Sequence, residues 1–170
     1  LLHKMNFISP YIELPKKLTV KQNLIVYAKL YNVKEIDERI DYLSSTLRLN
    51  KFLNNLTGEL SSGQKNRVSL AKSLINNPSV LLLDEPTASL DPETGNFIRS
   101  FLEDYIKQKK ISILLASHNM EEVKRLCTSV MMMNNGKIID QGAPKELIKK
   151  HSRKNLEEVF LKLARTKDEL

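Results

Sequence analysis

Residues 80–86 read Val-Leu-Leu-Leu-Asp-Glu-Pro, and this stretch decides how the chain folds. Four consecutive apolar residues are too few for a helix and predict a buried strand. Asp84 and Glu85 follow it, at the edge of an open parallel sheet where ligands bind. Asp84 can hold a divalent cation, since Mg²⁺ prefers oxygen ligands, and Glu85 can orient or deprotonate a water. Taken alone, the stretch fits a core strand and a polar turn better, so the rest of the chain decides.

The overall composition is that of an ordinary folded domain. The chain has 170 residues, 41% of them hydrophobic, enough for one domain or one domain with a small subdomain. A net charge of +7 is compatible with nucleic acid or an anionic membrane surface as partner. Lysine is abundant along the whole chain, however, and we attribute the charge to that enrichment. With Cys127 as its single cysteine, the sequence has neither an internal disulfide nor a cysteine-rich zinc site.

The two ends of the chain give three further expectations. No apolar run reaches the length of a membrane span, and no signal peptide opens the chain. Because the sequence begins at Leu1, directly on an element-like segment, we expect a piece of a longer protein. Residues 167–170 spell the retention signal Lys-Asp-Glu-Leu, which we interpret as a chance match in a charged tail.

Residues 19 to about 76 are predicted to be a helical insert without a strand. Thr19 and Gln22 form a capping box that starts a first helix. Apolar residues at helical spacing then predict a second helix over residues 36–47 and a third that follows residues 60–64. The sequence Asn-Asn-Pro at 76–78 ends the last of them.

The segments around this insert predict a parallel sheet. Short apolar runs end a strand at residue 8 and form strands at 80–83 and 111–116, with Asp91-Pro92 starting a helix between the last two. Strand, helix, strand, helix is the pattern of parallel β-strands. Residues 134–136, Asn-Asn-Gly, predict a hairpin turn after a methionine-rich core strand, and two charged helices close the chain.

Three polar features follow one another in an order that suits phosphate chemistry. Residues 60–64, Leu-Ser-Ser-Gly-Gln, open a helix, and the N–H groups and positive dipole at a helix N-terminus bind phosphate. Asp84 can support a cation that neutralises phosphate charge, and Glu85 can position a water. His118, after the next strand, can contact a transferred phosphoryl group. Together these features predict hydrolysis of a nucleoside triphosphate.

At this point the sequence resembles the nucleotide-binding domain of ATP-binding-cassette (ABC) proteins. The resemblance is carried by residues 60–64, by Leu-Leu-Leu-Asp-Glu-Pro-Thr at 81–87, by Ala-Ser-Leu-Asp-Pro at 88–92 and by Ser117-His118. It implies an α/β fold of the P-loop NTPase type: a mostly parallel sheet flanked by helices, with an all-helical subdomain insert and a C-terminal β-hairpin and helices. The whole chain, 1–170, would be a partial domain. Its helical and signature subdomain would span about 11–76, and residues 1–10 and 77–170 would be the rest of the catalytic core and the tail.

The resemblance also implies a role for each motif residue. Ser61, Ser62, Gly63 and Gln64 belong to the signature motif, which in this family contacts the nucleotide held by an opposing domain in a head-to-tail dimer. Asp84 resembles the Walker B aspartate at Mg²⁺, and Glu85 the glutamate that polarises the attacking water. The segment that ends at Asp91 resembles the loop that crosses the dimer interface, and His118 the switch histidine at the γ-phosphate. Simpler alternatives are that Ser61 and Asp91 only cap their helices.

This sequence departs from the family pattern at three places. It contains no G-x-x-x-x-G-K-[ST] phosphate loop (Walker A), so the chain by itself is expected to bind ATP poorly or not at all. The loop that normally carries a glutamine near Mg²⁺ reads Ser9-Pro10-Tyr11, so the glutamine that makes this contact in the family is missing here. Ser62 stands where the family usually has glycine, a change we expect to be tolerated.

The resemblance implies an ATPase subunit of a transporter, with ATP and Mg²⁺ as cofactors, on the cytoplasmic face of the membrane. Residues 155–160 resemble the tail of ATPases that pair with separate ABC-2-type membrane permeases, which implies export, and residues 11–34 are a plausible docking surface for such a subunit. The second nucleotide-binding domain is another copy or a different cassette, and no nucleic acid is expected. Two alternatives stay open: a soluble ABC ATPase of DNA repair or ribosome function, and a non-catalytic truncated remnant.

Overall fold

The computed structural model describes residues 2–10 and 13–165 of the chain. The retention-like residues 167–170, and Tyr11 of the expected docking surface, lie outside the described residues. The chain divides into two compact units, residues 1–116 and 117–170, each described here by itself. The division predicted from the sequence, with a helical subdomain at about 11–76, stays a prediction.

A three-stranded parallel sheet forms the centre of the first unit. Its strands are β1 (Met5–Ile8), β2 (Val80–Asp84) and β3 (Ser112–Ala116), in the order β1-β2-β3. On β2, Leu81 and Leu83 are fully buried, as the apolar run predicts. The predicted α/β fold with a mostly parallel sheet is confirmed, and the carboxyl ends of all three strands lie at one edge.

The segment between β1 and β2 is helical, as predicted. It contains α1 (Val20–Leu30), α2 (Ile36–Thr46) and α3 (Ser62–Leu74), with short 3-10 turns at Asn50–Phe52 and Thr57–Glu59. The predicted capping box starts α1: Gln22 N donates to Thr19 Oγ1 at 3.1 Å, and Thr19 N donates to Gln22 Oε1 at 2.9 Å. Between residues 13 and 79 the structure has one isolated β-bridge and no strand.

Apolar faces of these helices form the core against the sheet. The fully buried side chains include Leu24, Ile40, Leu43, Leu47, Leu70 and Leu74. Helix α4 (Pro92–Lys109) connects β2 to β3, and it begins where Asp91 Oδ1 accepts a hydrogen bond from Thr94 N at 2.9 Å. Ile98 and Leu102 of α4 are completely buried, so the helix is held along one face.

Over residues 117–165, the second unit contains a β-hairpin and three helices. Helix α5 (Met120–Leu126) precedes the antiparallel strands β4 (Val130–Asn134) and β5 (Lys137–Gly142), followed by α6 (Pro144–Lys150) and α7 (Leu156–Arg165). Asn135 and Gly136 turn the hairpin with φ of 49° and 73°, the left-handed pair that a tight hairpin turn needs. Met132 is buried while Met131 and Met133 are exposed, so the methionine run alternates as a strand should. None of the described helices combines the length and the apolar character that crossing a membrane would require.

Candidate active site

Two neighbouring strands bring Ser9 and Asp84 together. Ser9 follows β1 and Asp84 ends β2, so parallel pairing places both at the same edge of the sheet. Ser9 Oγ donates a hydrogen bond to Asp84 Oδ2 at 2.9 Å. A serine therefore contacts the predicted metal-binding carboxylate from the loop in which the family pattern has glutamine.

Glu85 has an unusual backbone conformation. Its φ is 47°, in the left-handed region that side chains other than glycine, asparagine and aspartate rarely adopt. This conformation costs about 1–2 kcal/mol. Two hydrogen bonds hold it: Glu85 N donates to Ala116 O at 2.8 Å, and Glu85 O accepts from Ala88 N at 3.1 Å. Seven other described residues besides glycine also have a positive φ, so the conformation supports a catalytic role for Glu85 only together with its place beside Asp84 at the sheet edge.

Asp84 and Glu85 line a cavity of about 220 Å³ in the first unit. One wall comes from the segment after β1 and includes Ser9 and Leu14, and another comes from the first turns of α3. Asn66 Nδ2 of α3 donates to Pro86 O at 2.8 Å, which fixes this helix against the turn that follows Glu85. The predicted carboxylates and the signature helix thus share one cavity.

The cavity contains residues that the sequence prediction missed. Lys65, Asn66 and Ser69 of α3, which were not predicted, line it together with the predicted Ser62. They recur at positions i, i+3, i+4 and i+7, so they form a polar stripe that helical periodicity could have revealed. Lys16 lines the cavity as well, and hydrogen bonding from Lys16 together with the charge of Lys65 lowers the pKa of Glu13. The lining thus contains two lysines and three carboxylates, since Glu13 also lines the cavity and pairs with Lys16 at 2.7 Å. This mixture of charges suits a ligand that carries both phosphate and a divalent cation.

Ser61 and Gln64 close the N-terminus of α3. Gln64 N donates to Ser61 Oγ at 3.3 Å, and Ser61 N donates to Gln64 Oε1 at 2.9 Å. The alternative that Ser61 caps its helix is therefore correct as a local description. A contact of these residues with nucleotide stays a prediction.

Gly63 lies where the N-termini of α3 and α4 meet. A Cβ atom added to Gly63 would lie 3.4 Å from Thr94 Cγ2 and 3.9 Å from Asp91 Oδ2, both ordinary contacts, and its φ is outside the left-handed region. Asp91 caps α4, and hydrogen bonds from Thr94 lower the pKa of its carboxyl group. The fold of this unit therefore does not require glycine at position 63.

His118 belongs to the second unit and follows, by two residues in the sequence, the last residue of β3, which ends the first unit. It is the one predicted site residue outside the first unit. Its flanking residues, Ser117 and Asn119, are both hydrogen-bonded to the start of α5. The chain thus delivers the predicted switch histidine on a short, well-held loop.

The oxygen donors at the sheet edge suit Mg²⁺. Asp84 and Glu85 provide carboxylates and Ser9 a hydroxyl, while among residues 2–10 and 13–165 no group of three or more His, Cys, Asp or Glu side chains could form a closed metal cage. Mg²⁺ is usually bound by one or two carboxylates with waters and substrate phosphates completing its shell. The residues present therefore fit a magnesium ion that arrives with a nucleotide.

Comparison with known proteins identifies relatives of this arrangement. A family model described as ABC transporter matches residues 2–88. The ABC transporter ATP-binding protein NatA of Bacillus subtilis is 37% identical over 147 residues, 85% of this chain and 59% of the relative. The Nod factor export ATP-binding protein I of Rhizobium johnstonii is also 37% identical over 147 residues, with 85% and 47% covered. The methionine import ATP-binding protein MetN of Clostridioides difficile is 34% identical over 152 residues, with 88% and 47% covered.

A solved structure extends the similarity to nearly the whole chain. The structure of an ATP-binding subunit of an ABC transporter superposes with a TM-score of 0.82 at 26% identity, covering 95% of this chain and 68% of that chain. The chain spans about half to three fifths of the length of the curated relatives it matches.

Proposed function

The chain belongs to the ABC transporter family, and from this premise we propose that it carries the hydrolytic residues of a transporter's ATP-binding subunit. The observation that carries the proposal is the cavity in which Asp84 and Glu85 face the first turns of the signature helix, with Glu85 held at a φ of 47°. A strained carboxylate in a cavity that is also lined by Asp84, Lys65 and the Lys16–Glu13 ion pair suits phosphoryl transfer to water.

Each residue has a defined part in this proposal. Glu85 accepts a proton from the water that attacks the γ-phosphorus, so that a P–O bond to the water forms while the bond to the β-phosphate oxygen breaks, giving ADP and phosphate. Asp84, oriented by Ser9, is the ligand for Mg²⁺, which when bound neutralises charge on the phosphates. His118 contacts the γ-phosphate.

The signature residues are proposed to act across a pair of domains. Ser61 to Gln64 face the nucleotide held by a second nucleotide-binding domain, and Asp91 lies in the segment that crosses between the two. The φ of Gly63 is ordinary and an added Cβ would make only ordinary contacts, which supports this role, because the glycine then serves a ligand and not the fold. The simplest pair is two copies of this protein, and a different cassette is the alternative. Since this sequence has no phosphate loop, the proposal assigns to it the hydrolytic and signature residues and not the grip on the phosphates.

We propose that the membrane partner is an ABC-2-type permease that works in export. The relatives include both export and import proteins and therefore do not distinguish the direction of transport. The resemblance of residues 155–160 to ABC-2-associated ATPases supports export. Helix α1 presents Val26 and Leu30, 44% and 70% exposed and four residues apart, as an apolar surface on which a membrane subunit can dock. The proposal places the protein on the cytoplasmic face of the membrane, without nucleic acid as a partner.

Two measurements on the protein isolated from its native cells test this proposal. Glu85→Gln is expected to lower ATP turnover by about 10²–10⁴-fold, the contribution of a general base, while ATP binding persists. A membrane protein is expected to co-purify. Unchanged turnover in Glu85→Gln would contradict the catalytic assignment. Recovery of soluble protein with salt-sensitive nucleic acid would favour the repair or ribosome alternative.

A further inference from the structure

The loop that carries His118 is tied to α5 on both sides of the histidine. Ser117 Oγ donates to Glu122 Oε2 at 2.7 Å and accepts a hydrogen bond from Asn119 N at 3.1 Å. Asn119 Oδ1 in turn accepts from Glu121 N at 3.1 Å and Glu122 N at 3.2 Å. These bonds form a closed ring that runs from residue 117 past His118 to the first turn of α5 and back.

Glu122 is the unexpected member of this ring because it is completely buried. Its exposed fraction is 0%, and its Oε1 atom has no hydrogen-bond partner among residues 2–10 and 13–165. Burial of a carboxylate with an unpaired oxygen opposes folding, although its place in the first turn of a helix offsets part of that cost. A neutral or apolar side chain would suit the stability of this unit better.

We propose that Glu122 is a positioning residue that fixes the His118 loop through Ser117. The carboxylate of Glu122 holds the Ser117 hydroxyl in the one orientation in which this hydroxyl donates to Glu122 and accepts from Asn119 N. This role accounts for a buried carboxylate that opposes folding. The backbone on both sides of His118 is then fixed before any ligand arrives, which is the preorganisation that a phosphate-contacting group needs. This inference rests on the proposed role of His118 and extends it to residues that do not contact the nucleotide.

The loop itself can be tested without nucleotide, by NMR of the 170-residue chain. Glu122→Ala and Ser117→Ala remove the bond that joins residues 117 and 122, whereas Glu122→Gln and Ser117→Thr keep an acceptor and a hydroxyl in place. In the first two variants we expect exchange of the Asn119 amide to accelerate by about tenfold, which corresponds to loss of one hydrogen bond. Ser117→Ala removes the acceptor of the Asn119 amide, and Glu122→Ala releases the hydroxyl that serves as this acceptor. The His118 ring signals, assigned with His118→Gln, should shift in the same variants. The two conservative variants should restore both readouts.

His151 provides the internal control. It lies in the same unit, where Asp140 holds its ring through a hydrogen bond of 2.6 Å. If the His151 signals change as much as those of His118, Glu122 supports the unit as a whole and the proposal is overturned. Unchanged Asn119 exchange in both alanine variants would overturn it as well. If Glu122→Ala does not fold, the comparison of Ser117→Ala with Ser117→Thr decides. These readouts need no ATP, so they succeed or fail separately from the Glu85→Gln test of hydrolysis.

Discussion

Replacement of Gly63 by alanine separates what the fold needs from what the proposed nucleotide site needs. The structure leaves room for the added methyl group, since the nearest atoms would be Thr94 Cγ2 at 3.4 Å and Thr94 Oγ1 at 3.5 Å. The backbone of Gly63 is in an ordinary conformation within α3, where alanine is the better helix former. The substitution should therefore not destabilise the protein.

Gly63→Ala is expected to raise the stability of the protein and to lower its ATP turnover. In a helix, glycine costs about 0.5–1 kcal/mol relative to alanine, and the position in the first turn favours the lower end, about 0.5 kcal/mol of added stability. For a chain of this size that is a rise in Tm of about 1–2 °C. If a nucleotide held by the opposing domain packs against Gly63, the methyl group overfills that contact at a cost of about 1–3 kcal/mol. ATP turnover should then fall about tenfold or more.

Thermal unfolding of the 170-residue chain and ATP turnover of the protein from its native cells measure the two effects. Gly95→Ala is the matched control, because Gly95 is also a helical glycine and the atoms nearest to its added Cβ belong to the flexible end of Arg99, which has to shift slightly from 3.3 Å. That variant should leave turnover unchanged. A loss of stability in Gly63→Ala would refute the packing argument, and full turnover would refute the approach of a ligand to Gly63.

Three further predictions concern the surroundings of the site and the stability of the two units. Ser9→Ala removes the hydrogen bond to Asp84 and should lower the free energy of unfolding in urea by about 1–2 kcal/mol, whereas Ser9→Thr should not; equal values for the two variants would contradict this. Hydrogen bonding from Lys150 is the largest cause that lowers the pKa of Asp140 to about 2. The ionised Asp140 carboxylate should therefore stabilise the protein above pH 4, and this stabilisation should be lost as the pH falls to 2. The stability difference between wild type and Asp140→Asn, followed by urea unfolding against pH, should shrink over that interval, and a constant difference would count against the assignment. Asn23 is 1% exposed, and its Nδ2 donates to three backbone carbonyls and a threonine hydroxyl. Asn23→Asp should therefore lower the free energy of unfolding in urea by about 3 kcal/mol or more. A smaller decrease would show that this network contributes little to stability.

Local features of the fold were predictable from sequence because each depends on a few neighbouring residues. The capping boxes at Thr19 and Ser61 and the Asp91-Pro92 helix start involve groups only three residues apart. The buried strand at 80–84 follows from an apolar run that no surface element would carry. Such signals do not depend on how distant segments pack.

The features that the sequence prediction missed arise from packing between distant segments. The bond from Ser9 to Asp84 joins residues 75 positions apart, and it exists only because β1 and β2 are adjacent. Lys65 is an ordinary surface lysine in the sequence, and it lines the cavity only because α3 packs over the edge of the sheet. Glu122 sits among charged residues of a short helix, a pattern typical of a solvated face, yet it is fully buried against Ser117. The predicted roles of Ser61, Gln64 and His118 toward nucleotide remain predictions, because the packing of this chain alone does not test a contact with a nucleotide.

The central claim is that ATP is hydrolysed between two copies, with Glu85 from one and the signature residues from the other. A mixing experiment tests it most directly, with turnover measured for Glu85→Gln alone, Gly63→Ala alone, and the two together. Each variant alone impairs both shared sites, whereas a mixed pair contains one site with an intact Glu85 and an intact Gly63. Mixing should restore turnover to about a quarter of the wild-type value, since half of randomly formed pairs are mixed and each mixed pair has one of its two sites working. Turnover of the mixture no greater than the average of the two separate preparations would contradict the account.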